Sequence, residues 1–143
     1  MKAKVWLRIA AFFILVHLLG HAVGHSKWDK PEDSKMQEVV NTMVGYKAEF
    51  MGATRSMGDY YNGYSLIMFF LYAMSISILW AASNFHESLR DNTRKILYPI
   101  AVTYVAFGVI EFMYFFPFAA AMSFGAGVLI FIAIFRLGRT NKV

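Results

Sequence analysis

Three histidines at four-residue intervals, His17, His21 and His25, are the residues of this sequence best suited to chemistry. They end the first long apolar stretch, in the run His-Leu-Leu-Gly-His-Ala-Val-Gly-His. On an α-helix, residues four apart are separated by ~40° around the axis and ~6 Å along it. The histidines therefore form one stripe, in which an adjacent pair can bind one ion but the outer two cannot.

Histidine pairs at this spacing are typical of helical zinc sites, and imidazole with carboxylate suits zinc, iron or copper. A carboxylate from elsewhere in the chain, Glu111 or Asp59, would complete the site. We therefore predict a transition metal bound by an adjacent histidine pair and one of these acids, with possible redox chemistry on a lipophilic substrate. The predicted metal ligands are His17, His21, His25, Asp59 and Glu111.

The elements that must position these residues are membrane helices. The chain has 143 residues, of which 58% are hydrophobic and 16% charged, far too apolar for an ordinary soluble domain. Four apolar runs are long enough to cross a membrane, since ~20 helical residues span a ~30 Å hydrocarbon core. We predict an all-α integral membrane protein, a four-transmembrane-helix bundle forming a single domain, with spans at about 5–23, 64–82, 97–114 and 118–135.

This topology places Glu111 at the depth of two histidines. At ~1.5 Å per residue, His17 and His21 lie ~18 and ~24 Å from the start of span one, and Glu111 ~21 Å from the start of span three. Ionisable groups at membrane depth are costly, so a functional role is their default interpretation. Glu111 is thus the predicted catalytic residue, exchanging protons with His17 or His21.

Other interpretations of the histidines remain open. Neutral histidines could simply hydrogen bond across the bundle to Glu111, a tyrosine or a backbone carbonyl. Haem b is disfavoured against a metal ion because His86, the one further histidine, is predicted at the opposite membrane face. A methionine or a symmetry-related His17 would then have to serve as the second axial ligand.

Basic residues at three chain segments indicate the topology, because Lys and Arg are enriched in cytoplasmic loops. We expect both termini to be cytoplasmic and the membrane to be a bacterial inner membrane. Residues 1–24 resemble a secretory signal, but we expect them to be retained as the first span. The three basic groups are Lys2, Lys4 and Arg8; Arg90, Arg94 and Lys95; and Arg136, Arg139 and Lys142.

The first outer loop is predicted to contain an amphipathic interfacial helix over about 31–51. Pro31 suits a first helical turn, and apolar residues follow at three- and four-residue intervals up to Met51. Such a helix would shield the ends of the spans or, as a less favoured alternative, form a lid over a site. The polar segment that follows offers Arg55, Tyr60 and Tyr64 as residues that bind a cofactor or an anionic headgroup.

The same polar segment carries a resemblance. His17-Leu-Leu-Gly-His21, together with Met51-Gly-Ala-Thr-Arg-Ser-Met-Gly-Asp-Tyr-Tyr-Asn-Gly-Tyr-Ser-Leu66, resembles a family of small uncharacterised bacterial membrane proteins with four spans. The resemblance covers about the first two spans and their loop. It implies only that the histidine stripe and the segment from Arg55 to Asp59 belong together. Such sequences carry a tryptophan where this chain has Gly58.

Composition excludes several classes of function. The absence of cysteine excludes disulfides, thiolate catalysis and cysteine-ligated clusters. The net charge of +5 is scattered and no nucleic-acid motif occurs, so nucleic acid is not an expected partner. The expected partners are the lipid bilayer and a lipophilic small molecule.

A competing class of function is a noncatalytic subunit, or a lipid- or quinone-binding scaffold, in a homo-oligomer or a larger membrane complex. Span four carries Ala119, Ser123 and Gly127 at four-residue spacing, and small residues in this pattern let another helix approach closely. This face would then be the surface that meets the partner.

Overall fold

The computed structural model describes residues 2–138, so Arg139 and Lys142 of the predicted basic C-terminal segment lie outside the described residues. It contains five α-helices and one two-stranded antiparallel hairpin. A 3₁₀ turn, Glu87–Leu89, precedes the fourth helix. The helices are α1 (Ala3–Lys27), α2 (Ser34–Gly45), α3 (Met57–Ala82), α4 (Arg90–Tyr114) and α5 (Pro117–Gly138), and the strands are β1 (Lys47–Phe50) and β2 (Ala53–Ser56).

Four of these helices, α1, α3, α4 and α5, are long and apolar enough to cross a membrane, with lengths of 25, 26, 25 and 22 residues. They confirm the predicted four apolar helices. Large apolar side chains such as Phe70 and Phe112 are more than three-quarters exposed, at 77% and 76%, as suits contact with lipid. Each helix extends beyond its apolar run, and α4 begins at Arg90 rather than near residue 97. Pro99 consequently lies inside α4, where it cannot donate a hydrogen bond to the Lys95 carbonyl.

By packing, the chain divides into two compact units. The first unit comprises residues 1–19 and 72–143, of which 2–19 and 72–138 are described, and the second comprises residues 20–71. Helices α1 and α3 each contribute to both units.

In the first unit, α4 and α5 are joined by a two-residue connection and pack closely against each other. Glycines on both helices permit the close approach. A Cβ added to Gly127 would lie 2.9 Å from the backbone nitrogen of Val105, and one added to Gly108 would clash with the ring of Phe124. Gly127, one member of the small-residue face of span four, is therefore packed against α4 of the same chain.

The second unit contains α2 and the hairpin. Asp33 caps α2 by accepting a 2.8 Å hydrogen bond from the backbone nitrogen of Met36. The helix ends at Gly45 rather than near residue 51, because residues 47–56 form the hairpin. Its turn is Met51-Gly52, both with positive φ (50° and 80°), as a two-residue hairpin turn of type I′ requires. The interfacial location of α2 stays a prediction.

Gly58, at the start of α3, also belongs to the second unit. A Cβ at this position would lie 2.9 Å from a methyl carbon of Val44 and 3.2 Å from the Trp28 ring. The Trp28 indole donates a 2.9 Å hydrogen bond to the side-chain oxygen of Asn62 on α3. A large side chain at residue 58 would therefore clash with Val44 and with the Trp28 ring.

Candidate functional site

His17 is placed in the core of the first unit by the helical spacing of its own segment. The buried residues of α1 recur at three- and four-residue intervals, which puts them on one face of the helix. His17 ends this face and is only 6% exposed. The other members of the face are Leu7, Ala10, Ala11 and Ile14.

Both ring nitrogens of His17 have polar neighbours. Nε2 lies 3.2 Å from the hydroxyl of Tyr72 and 3.6 Å from Oε1 of Glu111. Nδ1 lies 3.2 Å from the hydroxyl of Ser123. The imidazole and Tyr72 rings are also in contact, with centroids 4.7 Å apart. We call His17, Tyr72, Glu111 and Ser123 the His17 cluster.

Glu111 reaches the cluster from the buried face of α4. The buried positions of this helix again follow a three- and four-residue spacing, so the carboxylate turns inward, and the residue is 8% exposed. Its Oε1 faces His17, and Ser123 also interacts with the carboxyl group. Oε2 is buried, and no atom of residues 2–138 forms a hydrogen bond with it. Since a buried polar atom normally has a partner, Oε2 retains hydrogen-bonding capacity that no described atom uses.

The first unit therefore brings together two residues predicted from the sequence, His17 and Glu111, whose Nε2 and Oε1 atoms lie 3.6 Å apart. Tyr72 and Ser123 were not predicted. Ser123 was interpreted as a small packing residue, and it does pack, being 0% exposed. Tyr72 is an uncharged residue in an apolar span, so no charge in the sequence marks it as a site residue.

The other two histidines of the stripe belong to the second unit, and both contact Ser65 of α3. His21 Nε2 lies 3.0 Å from the carbonyl oxygen and 3.0 Å from the hydroxyl of Ser65. His25 Nδ1 lies 2.8 Å from the same hydroxyl. Phe69, one turn further along α3, contacts the edges or faces of both rings at centroid distances of 4.9 and 5.5 Å. Adjacent histidines thus converge on one oxygen atom, as their spacing suggested, but that oxygen is a serine hydroxyl.

Asp59, a predicted metal ligand, shapes the start of α3. Its Oδ2 accepts a 2.8 Å hydrogen bond from the backbone nitrogen of Ser56, and its own backbone nitrogen donates to the Ser56 hydroxyl at 3.0 Å. This reciprocal pair satisfies two backbone donors at the helix start, which is a structural role.

The three residues predicted to bind a cofactor, Arg55, Tyr60 and Tyr64, are all exposed in the second unit. Arg55 donates a 3.0 Å hydrogen bond to the carbonyl of its neighbour Thr54. Tyr64 is the more exposed of the two tyrosines, with 70% of its surface accessible. Cofactor binding by these residues stays a prediction.

Metal binding also stays a prediction. Within residues 2–138, no group of three or more His, Asp or Glu side chains is arranged to hold a metal ion. His17 and Glu111 lie in the first unit, whereas His21, His25 and Asp59 lie in the second. What the described chain provides is a histidine with a carboxylate in one unit and a pair of histidines in the other.

Comparison with known proteins does not assign this arrangement to a family. The chain matches no protein-family model, no curated protein and no solved structure, so its chemistry has to be inferred from the geometry above.

Proposed function

We propose that the protein is an integral membrane protein whose His17 cluster exchanges a proton with a lipophilic ligand, and that Glu111 contacts this ligand. One observation carries the proposal. The buried Glu111 carboxyl group presents Oε1 to His17 at 3.6 Å, while its buried Oε2 has no hydrogen-bond partner within residues 2–138. A carboxyl group that faces a base with one oxygen, and has hydrogen-bonding capacity left on the other, can pass a proton from the base to a ligand.

The proton transfer balances in two steps. A protonated His17 gives the proton on Nε2 to Oε1 of the Glu111 carboxylate, which leaves a neutral imidazole and a carboxylic acid. The carboxyl group then turns about its Cγ–Cδ bond, so that the protonated oxygen takes the position of Oε2. It gives this proton to a basic oxygen of the ligand, and the carboxylate is regenerated. The reverse sequence deprotonates the ligand. The 3.6 Å separation exceeds the usual N–H···O distance of ~2.9 Å, so a small side-chain rotation precedes the first step.

Tyr72 and Ser123 act as positioning residues in this scheme. The Ser123 hydroxyl at Nδ1 and the Tyr72 hydroxyl at Nε2 hold the imidazole ring in place. Burial of the cluster keeps bulk water away, so protons are not lost to solvent during transfer.

The proposed ligand is an oxygen-bearing lipophilic molecule, of the chemical class of a quinone, a sterol or a fatty acid. Such a molecule reaches the protein through the bilayer, which the exposed apolar faces of the four candidate spans would contact. Its polar oxygen supplies the partner that Oε2 of Glu111 lacks among the described atoms.

Infrared difference spectroscopy tests this proposal on purified protein in mild detergent, with a short-chain quinone, a sterol and a fatty acid as probes. We expect one probe to shift the carboxyl band of Glu111, because a new hydrogen bond to Oε2 changes the C=O vibration. The shift should vanish in Glu111→Gln and persist in Glu49→Gln, which alters an exposed acid of β1. If no probe shifts a carboxyl band, or if the probe-induced shift is still present in Glu111→Gln, the proposal is wrong.

A second candidate function is metal binding at the histidine pair of the second unit. His21 Nε2 and His25 Nδ1 lie 3.0 and 2.8 Å from the same Ser65 hydroxyl. Two imidazole nitrogens converging on one point are the start of a zinc, copper or iron site, in which the ion would replace the hydroxyl between them. Water or an added ligand would complete the coordination.

Elemental analysis of protein purified without a histidine tag tests the metal hypothesis. We expect near-stoichiometric metal in the wild type, its loss in His21→Ala, and its retention in His86→Ala, which changes an exposed histidine of the first unit. The absorption spectrum of the same sample tests haem b, since bound haem gives a Soret band. Unchanged metal content in His21→Ala would exclude this site.

A further inference from the structure

A pocket of about 780 Å³ opens in the first unit where four helix ends meet. It is lined by the start of α1, the end of α3, the start of α4 and the end of α5. The Lys and Arg residues that line it come from three segments remote in sequence. They are Lys2, Lys4, Arg90 and Arg136, and none of the described lining residues is acidic.

Two helix N-termini add to the positive potential of this pocket. Helix α1 begins at Ala3 and α4 begins at Arg90, and both residues line the pocket. The first backbone N–H groups of a helix have no partner within the helix, and the aligned peptide dipoles give this end a partial positive charge. An anion in the pocket would interact favourably with the side chains and with both helix termini.

The wall formed by the end of α3 is held in place by a fifth cation. Arg8 lies 3.4 Å from the hydroxyl of Ser83 and 3.3 Å from the side-chain oxygen of Asn84, both lining residues. Its guanidinium also stacks on the Trp80 ring, with its central carbon 4.6 Å from the centroid. The polar side of the pocket is therefore built from anchored groups.

We propose that this pocket binds a phosphate group, and that the headgroup of an anionic phospholipid supplies it. Its volume falls within the range of ~300–1,000 Å³ typical of small-molecule sites. It lies at the ends of candidate membrane spans, where headgroups are found, and the apolar Leu7, Phe85 and Leu137 line it beside the cations. A soluble phosphate shares the same chemistry and is the other possible source. The proposal does not depend on the function of the His17 cluster.

Native mass spectrometry in a neutral detergent tests the proposal, with phosphatidylglycerol, phosphatidylcholine and inorganic phosphate as separate probes. We expect phosphatidylglycerol to bind more tightly than phosphatidylcholine. In Lys2→Gln/Lys4→Gln the affinity for phosphatidylglycerol should fall about 30-fold, since each basic residue near a membrane surface raises the affinity for anionic lipid about fivefold. The matched control is Arg94→Gln/Lys95→Gln, which removes two exposed cations of α4 that do not line the pocket.

The three probes separate the sources of phosphate. Displacement of phosphatidylglycerol by millimolar inorganic phosphate would support the site and assign it to a soluble anion. Retention of the lipid under the same conditions would support the phospholipid headgroup as the source of the phosphate. The proposal is overturned if no probe binds, or if the control variant loses as much affinity as the pocket variant. Circular dichroism of both variants verifies that the helices remain folded.

Discussion

His17→Leu is expected to lower the free energy of unfolding by about 3–5 kcal/mol, the usual cost of removing one partner of a buried ionisable pair. In the native protein, His17 Nε2 faces Glu111 Oε1 at 3.6 Å, and both residues are more than nine-tenths buried. Leucine has a similar volume but no hydrogen-bonding atoms, so the carboxyl group is left in an apolar core. The measurement is equilibrium unfolding in mixed detergent micelles, followed by circular dichroism.

The double variant His17→Leu/Glu111→Leu separates the loss of the pair from the loss of packing. If the cost of His17→Leu comes from a stranded carboxyl group, removing that group as well should restore more than half of the lost stability. Glu111→Gln serves as the conservative control and should cost about 1 kcal/mol, because the amide keeps a polar side chain of the same size facing the imidazole. Strictly additive effects of the two leucine substitutions would show that His17 and Glu111 are not coupled.

The pairing of His17 with Glu111 could be predicted from the sequence because it follows from arithmetic. Helices rise by a constant ~1.5 Å per residue, so equal distances from the membrane edge place two residues at equal depth. The same count is consistent with the two uncharged members but does not select them from the other residues at that depth. Tyr72 and Ser123 lie ~12 and ~8 Å from the nearest predicted ends of their spans, in the layer that contains His17 and Glu111.

The hairpin of residues 47–56 could not be predicted from periodicity. Apolar spacing of helical type continues through Phe50 and Met51, beyond the last residue of α2 at Gly45. The strands are only four residues long and mostly exposed, so they lack the alternation of a half-buried strand. Met51-Gly52 is also a weaker hairpin signal than Asn-Gly, because methionine rarely adopts positive φ.

Asp59, whose role as a metal ligand stays a prediction, has a local structural role that its residue type alone did not indicate. Its position two residues into α3 makes its carboxylate available to the backbone nitrogen of Ser56, 2.8 Å away. Local hydrogen bonds of this kind need no tertiary structure, and they engage the side chain before any distant partner can. The helix start was predicted at residue 64, so Asp59 was placed in a loop and its capping role was missed.

Gly127 on α5 packs directly against the backbone of α4. Gly127→Leu is expected to lower the free energy of unfolding by about 3 kcal/mol, at the upper end of the usual cost of overpacking. A Cβ on Gly127 would lie 2.9 Å from the Val105 backbone nitrogen and 3.1 Å from the Ala101 carbonyl oxygen. These are backbone atoms of α4, which cannot rotate away as a side chain could, so the two helices must separate.

Gly63→Leu is the matched control for this prediction, since Gly63 lies within helix α3 and a Cβ there would meet no atom within 4 Å. We expect the free energy of unfolding of Gly63→Leu to differ from that of the wild type by less than about 1 kcal/mol, because leucine is a better helix former than glycine. Equal stability of Gly127→Leu and Gly63→Leu would contradict the close packing of α4 on α5.

The comparison also bears on the scaffold hypothesis. Because Gly127 already packs against α4, loss of a copurifying partner in Gly127→Leu would report damage to the chain's own core rather than the loss of a partner surface.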